Sequence, residues 1–319
     1  MVIKMKSSTF TFKDKDDIEI FVYKWEPDTP PKAIVQIVHG LAEHAKRYAR
    51  VAEALCNDGY VCYANDARGH GRTAGDLTEK TLEGNAGVLG PNGWRGVVND
   101  IHELTNIIKE AHPALPIFLI GHSWGSFLSQ DYIQDWGNEL KGVILSGTNG
   151  KVRASVIMAG KLLLKFEIKK LGPTEPSQKM HDMNFKSNNH DWDTDEGATG
   201  FEWLSRDKDE VQKYIDDPWC GFVAPANLWL EFLHGFEKIY DSKQEQNIPK
   251  DLPIFFISGS LCVIGNKTKG VSAMISRLNK YGMKDVSYKF YQNARHEIFN
   301  EINRDEVYQD VINWLNSHI

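Results

Sequence analysis

The chain has 319 residues, 41% of them hydrophobic and 25% charged, and carries a formal net charge of −6 at pH 7. This length and apolar content supply the core of one large domain, or of a domain with an insertion. An acidic balance with no long basic block excludes nucleic acid as the principal partner, because phosphate binding requires clustered Lys and Arg.

The opening residues, Met1-Val2-Ile3-Lys4-Met5-Lys6, lack the apolar core of a signal peptide, and no stretch approaches the length of a membrane span, so a cytoplasmic location is expected. Alternating apolar residues over 17–25 predict a half-exposed strand, antiparallel at the start of a sheet. Residues 33–38 read as a buried strand, 45–57 as a helix broken at Asp58-Gly59, and 60–64 as the next strand. A helix is predicted over 94–111, with Val97, Ile101, Leu104 and Ile108 on one stripe, followed by strands at 116–120 and 142–146. Such alternation implies a mostly parallel sheet flanked by helices.

Between 151 and 247 the rhythm fails, in a stretch rich in Trp and Phe and broken by Gly and Pro, and an inserted, mainly helical cap is predicted there. Strand 253–258, helix 271–279, strand 286–291 and helix 306–317 then resume the alternation. The expected organisation is a core over 1–150 and 248–319 with a cap over 151–247. The four cysteines, Cys56, Cys62, Cys220 and Cys262, show no Cys-x-x-Cys spacing, so free thiols are expected and no metal or cofactor is called for.

The chemistry concentrates at Gly121-His122-Ser123-Trp124-Gly125, a Gly-x-Ser-x-Gly nucleophile elbow lying between a predicted strand and a predicted helix. The flanking glycines, Gly121 and Gly125, let the backbone pass close to a serine held in a strained turn. A serine hydroxyl needs a base to take its proton and donors for the oxyanion. His296, directly after the last predicted strand, is placed to be that base. The backbone N–H groups of Leu41, in the loop after strand 33–38, and of Trp124 are the expected oxyanion donors.

Other segments carry less. Residues 69–75 are glycine-rich but lack the dinucleotide spacing, and 265–268 lack the upstream glycine of a P-loop, so both are expected to be turns. Lys161, Lys165 and Lys169 recur among apolar residues as in an amphipathic helix resting on a lipid surface, against which a solvated lysine face is the preferred reading. Asp191, Asp193, Asp195 and Glu196 form an acidic run that would attract a substrate amine, against which a solvated loop is preferred.

Together, His39-Gly40-Leu41-Ala42-Glu43-His44 with Arg47-Tyr48, Asn65-Asp66 with Arg68-Gly69-His70-Gly71, the elbow, and Arg295-His296-Glu297-Ile298 resemble the monoacylglycerol lipase and lysophospholipase branch of the α/β-hydrolases, a group that includes serine aminopeptidases. The resemblance spans nearly all of the core. It implies an eight-stranded, mostly parallel α/β-hydrolase sheet, Ser123 as nucleophile, His296 as base, and a cap over an apolar acyl pocket. One departure is serious: the family pattern Gly-x-x-Asp-Pro-Val-Gly reads here Gly259-Ser260-Leu261-Cys262-Val263-Ile264-Gly265, so Cys262 stands at the triad acid. A second puts Ala67 where histidine is usual. The expectation is an esterase acting on single-acyl glycerolipids with depressed activity. An aminopeptidase or amidase of the proline iminopeptidase type and a silent acyl-binding protein are the alternatives.

Overall fold

The computed structural model describes residues 5–75, 85–192 and 197–319. Two features of the sequence reading fall partly outside them: the first four residues of the N-terminal segment, and Asp193, Asp195 and Glu196 of the acidic run.

Eight strands form one sheet in the order β1-β2-β4-β3-β5-β6-β7-β8: β1 Lys6–Lys13, β2 Glu19–Glu26, β3 Ala33–Val38, β4 Tyr60–Asn65, β5 Ile117–His122, β6 Gly142–Ser146, β7 Ile254–Gly259 and β8 Val286–Tyr291. The pairs β1/β2 and β2/β4 are antiparallel and every other pair is parallel. Strands β3 to β7 are buried along their whole length, which is why they appear in the sequence as continuous apolar runs instead of alternating ones. Strand β1 was not anticipated. It is an exposed edge whose Ser7, Ser8, Thr9 and Thr11 give it no apolar run, and its register is set by pairing with β2.

Helices cover both faces. Helix α1 (Ala49–Asn57) and the C-terminal helix Arg304–Asn316 lie on one side, where Val51 and Leu55 share a core with Val307, Val311 and Leu315. On the other, α2 (Gly93–Ala111) buries Val97, Ile101, Leu104 and Ile108 beside α3 (Trp124–Trp136), each contributing about 1.5–3 kcal/mol on leaving water. All four cysteines are free and buried.

Between β6 and β7 the chain passes through α4 (Ala154–Leu171), α5 (Lys208–Asp216) and α6 (Ala226–Ile239) with shorter turns between them. The outward face of α4 exposes Lys165 and Lys169, and with them more apolar surface than a solvated lysine face implies. Val156, Met158, Leu162 and Phe166 are exposed, while Lys161 is drawn into an ion pair with Glu237 at 2.8 Å. Only Ile157, Leu164 and Glu167 of this helix are buried, so its sequence carries more apolar residues than its packing uses. No helix among the described residues is long and apolar enough to cross a membrane.

Candidate active site

The carboxyl ends of the parallel strands converge on one cavity of about 280 Å³. Leu41 reaches it from the loop after β3, Ser123 and Trp124 from the turn after β5, Asn149 from beyond β6, Val263 and Ile264 from beyond β7, and His296 from beyond β8. The segment between β6 and β7 closes the far wall with Phe185, Trp203, Trp229, Phe232 and Phe236.

Ser123 has φ +53° and ψ −119°, a strained backbone for a residue with a Cβ. Its surroundings over-determine that conformation. The Ser123 N–H donates to the Ser146 carbonyl at 2.8 Å, tying the turn to the end of β6. A Cβ on Gly125 would run into the carbonyl oxygens of Val38 and His39, and one on Gly121 into Ser129 and the Gly125 carbonyl. Both glycines are therefore required by close approach, and the hydroxyl is left at the head of α3, facing the cavity.

His296 Nε2 lies 2.8 Å from Ser123 Oγ, across a sequence separation of 173 residues. Burial, and then the neighbouring His122 ring, hold the imidazole down at about 3, so it is neutral at pH 7 and able to accept a proton. In the tautomer whose Nε2 accepts from the serine hydroxyl, Nδ1 carries the hydrogen and faces Cys262 Sγ at 3.2 Å. Burial pushes the Cys262 thiol up; the Gly265 and Ile264 N–H groups and the Ser258 hydroxyl favour the thiolate without overcoming it. The sulfur is thus neutral near pH 7 and a weak acceptor, in surroundings that offer several donors to an anion.

A charged network lies alongside, built from residues that the sequence reading named only as carriers of the resemblance, without joining them to one another. Arg47 makes two hydrogen bonds to Glu297, at 2.8 and 2.7 Å, and pairs with Glu43. Glu43 also accepts from the Gly40 N–H at 2.6 Å and from Tyr48 at 2.8 Å. Burial works against ionisation of Glu297, but the Arg47 charge and hydrogen bonds override it and hold the carboxyl at about 2. The network fixes the Gly40-Leu41 turn. His122, named in the sequence only as part of the elbow, is buried between, its ring 4.8 Å from that of His296 and its Nδ1 3.0 Å from Ser146 Oγ.

The same loop is pinned from the other side. The Gly221 N–H and the Tyr214 hydroxyl both donate to the Ala42 carbonyl, and His44 Nε2 lies 2.9 Å from Asp217. Residues 69–75 include a short 3-10 turn, Gly71–Thr73, where Gly71 packs too closely on the Asp66 carboxylate to carry a Cβ, and Arg68 is buried in ion pairs with Asp14, Asp16 and Asp100. Asp191 is engaged by Lys267 at 2.7 Å.

The family described as serine aminopeptidase, S33 (Hydrolase_4) matches residues 29–303. The chain belongs to that family. Its recognised place is the monoacylglycerol lipase and lysophospholipase branch of the α/β-hydrolases. A monoacylglycerol lipase of Mycolicibacterium smegmatis is 28% identical over 330 residues, covering all of both chains. The monoglyceride lipase of Homo sapiens is 23% identical over 313 residues, covering 93% of this chain and 86% of its own. Among solved structures, a thermostable carboxyl esterase from Bacillus coagulans in complex with glycerol superposes with a TM-score of 0.87 at 29% identity, covering 99% of each chain.

Proposed function

We propose that the chain hydrolyses carboxylic esters of glycerolipids bearing one acyl chain, through an acyl-enzyme on Ser123. That it is a carboxylic ester hydrolase follows from its family and from the lipase and esterase relatives that match it end to end. The observation that carries the finer reading is the 2.8 Å contact of Ser123 Oγ with His296 Nε2 inside an aromatic-walled cavity. At about 280 Å³, that cavity lies just below the usual range of ligand pockets, which favours a single acyl chain over two.

In this reading His296 Nε2 takes the hydroxyl proton as Oγ attacks the ester carbonyl, and the backbone N–H groups of Leu41 and Trp124 receive the oxyanion. The imidazolium returns the proton to the departing alkoxide, and water repeats the sequence to release the acid. Cys262 occupies the place of the acid and orients the imidazole only weakly, which lowers the rate without changing the chemistry. The exposed apolar face of α4, with Lys165 and Lys169 beside it, supports transient contact of the 151–247 cap with a lipid surface from which substrate enters.

The test is Ser123→Ala. Release of fatty acid from monoacylglycerol or lysophospholipid should vanish together with fluorophosphonate labelling, and unchanged turnover would refute the assignment. Aminoacyl arylamides assayed at equal enzyme concentration distinguish an amidase, which would prefer them. A protein that fails to label is a binder.

A further inference from the structure

We propose that Trp203 is a positioning residue for His296, and that its indole face supplies the stabilisation of the imidazolium that a carboxylate at position 262 supplies in the family pattern. The inference rests on the Ser123–His296 reading above.

The two rings stack, with centroids 5.0 Å apart and planes at 27°. The backbone holds them in register: the His296 N–H donates to the Trp203 carbonyl at 3.2 Å and the Glu297 N–H to the Leu204 carbonyl at 2.7 Å. From behind, the backbone N–H of Trp203 donates to Asn189 Oδ1 at 2.9 Å, and Phe185 meets the indole edge-on at 5.9 Å. Both Trp203 and His296 are buried. A buried tryptophan usually satisfies its indole N–H. Trp203 Nε1 has no hydrogen-bond partner among the described residues, and it is the indole face that meets the imidazole.

A cation within about 6 Å of an aromatic centroid is attracted by the ring quadrupole, more strongly when both are out of water. In the transition state His296 becomes that cation. Of the other groups around it, Cys262 is a neutral thiol, His122 is a second imidazole that opposes a charge, and Ser123 is the reaction partner. Glu43 and Glu297 favour the cation through charge alone, and both are already paired with Arg47. The indole is the neighbour in ring contact that gains when the imidazole is protonated. It also restrains the tilt of a ring whose Nδ1 has only a sulfur to hold.

The experiment compares W203L and W203F in the native and C262D backgrounds, reading kcat/KM against pH on a short-chain nitrophenyl ester. In the native background W203L should lower kcat/KM about tenfold and move the acid limb to lower pH, while W203F, which keeps a π face, retains most of both. With Asp at 262 the W203L penalty should shrink to about twofold, since the carboxylate then does the same task. An unmoved acid limb, or equal penalties in the two backgrounds, would overturn the proposal and leave Trp203 as packing. If W203L does not fold, W203M replaces it as a side chain of substantial length without a π face. Failure of the hydrolase reading itself looks different: the native protein would then not be labelled by a fluorophosphonate at all.

Discussion

Cys262 Sγ sits 3.2 Å from Nδ1 of His296, the hydrogen-bonding position from which a carboxylate would orient the imidazole. Because burial keeps the thiol protonated, the pair is a neutral donor facing a soft acceptor, with no charge to balance an imidazolium. Loss of the acid in serine proteases costs about 10⁴-fold in kcat. Cys262→Asp should therefore raise kcat on a short-chain ester by about a hundredfold or more. The Ser258 hydroxyl and the Gly265 and Ile264 N–H groups already favour an anion there. An unchanged kcat would mean that another group fills the role.

Three buried imidazoles make the protein acid-sensitive. Burial first holds His296 and His70 down at about 3 and His122 at about 4. In the unfolded chain each binds a proton near pH 6.5, whereas in the folded one it does so only far below. The unfolded state therefore holds more protons between those limits. The stabilisation is full above pH 6.5 and is lost as pH falls toward 4 and 3, by up to about 1.4 kcal/mol per unit for each histidine. Urea midpoints taken from pH 7.5 down to 4.5 should fall, while NMR of the three rings shows them neutral at pH 5.5. A ring that titrates near 6.5 in the folded protein would contradict this.

Gly125 has no space for a side chain against the Val38 and His39 carbonyls. Gly125→Ala should move the elbow away from β3, with a loss of about 3 kcal/mol or more in unfolding free energy and a fall in Ser123 labelling rate. Differential scanning calorimetry and a fluorophosphonate time course measure both. Native stability in that variant would mean that the loop after β3 is not held where it lies.

Arg47 is the cation that joins two buried carboxylates, Glu43 and Glu297. Removing it in Arg47→Met leaves Glu43 and Glu297 uncompensated, at a cost of about 3–5 kcal/mol. The loss should be partly relieved in acid, where Glu297 accepts a proton once its cation is gone. Equal destabilisation at pH 5 and pH 8 would rule this out.

Leu162 and Phe166 stand out from α4 with 73% and 67% of their surface exposed. Replacing both by serine should weaken retention on vesicles of phosphatidylcholine with phosphatidylglycerol by about tenfold and leave hydrolysis of a water-soluble ester unchanged. Equal retention of the two proteins would remove the lipid-surface role of this face.

The sequence by itself determined the order of the strands from β2 to β8 and of the helices that flank them outside 151–247. A strand buried on both faces must be apolar throughout, as in 33–38 and 142–146, and such runs are visible without a fold. It also marked the elbow, because Gly121 and Gly125 answer a local demand for space. Edge strand β1 escaped notice because pairing with β2, not its own pattern, makes it a strand. The tertiary structure alone decided which side chains meet. Arg47 finds Glu297 across 250 residues, Trp203 lies on His296, and α4, between β6 and β7, turns an apolar face outward. Those contacts depend on where separate loops end above the sheet, and no periodicity or spacing within a segment encodes that.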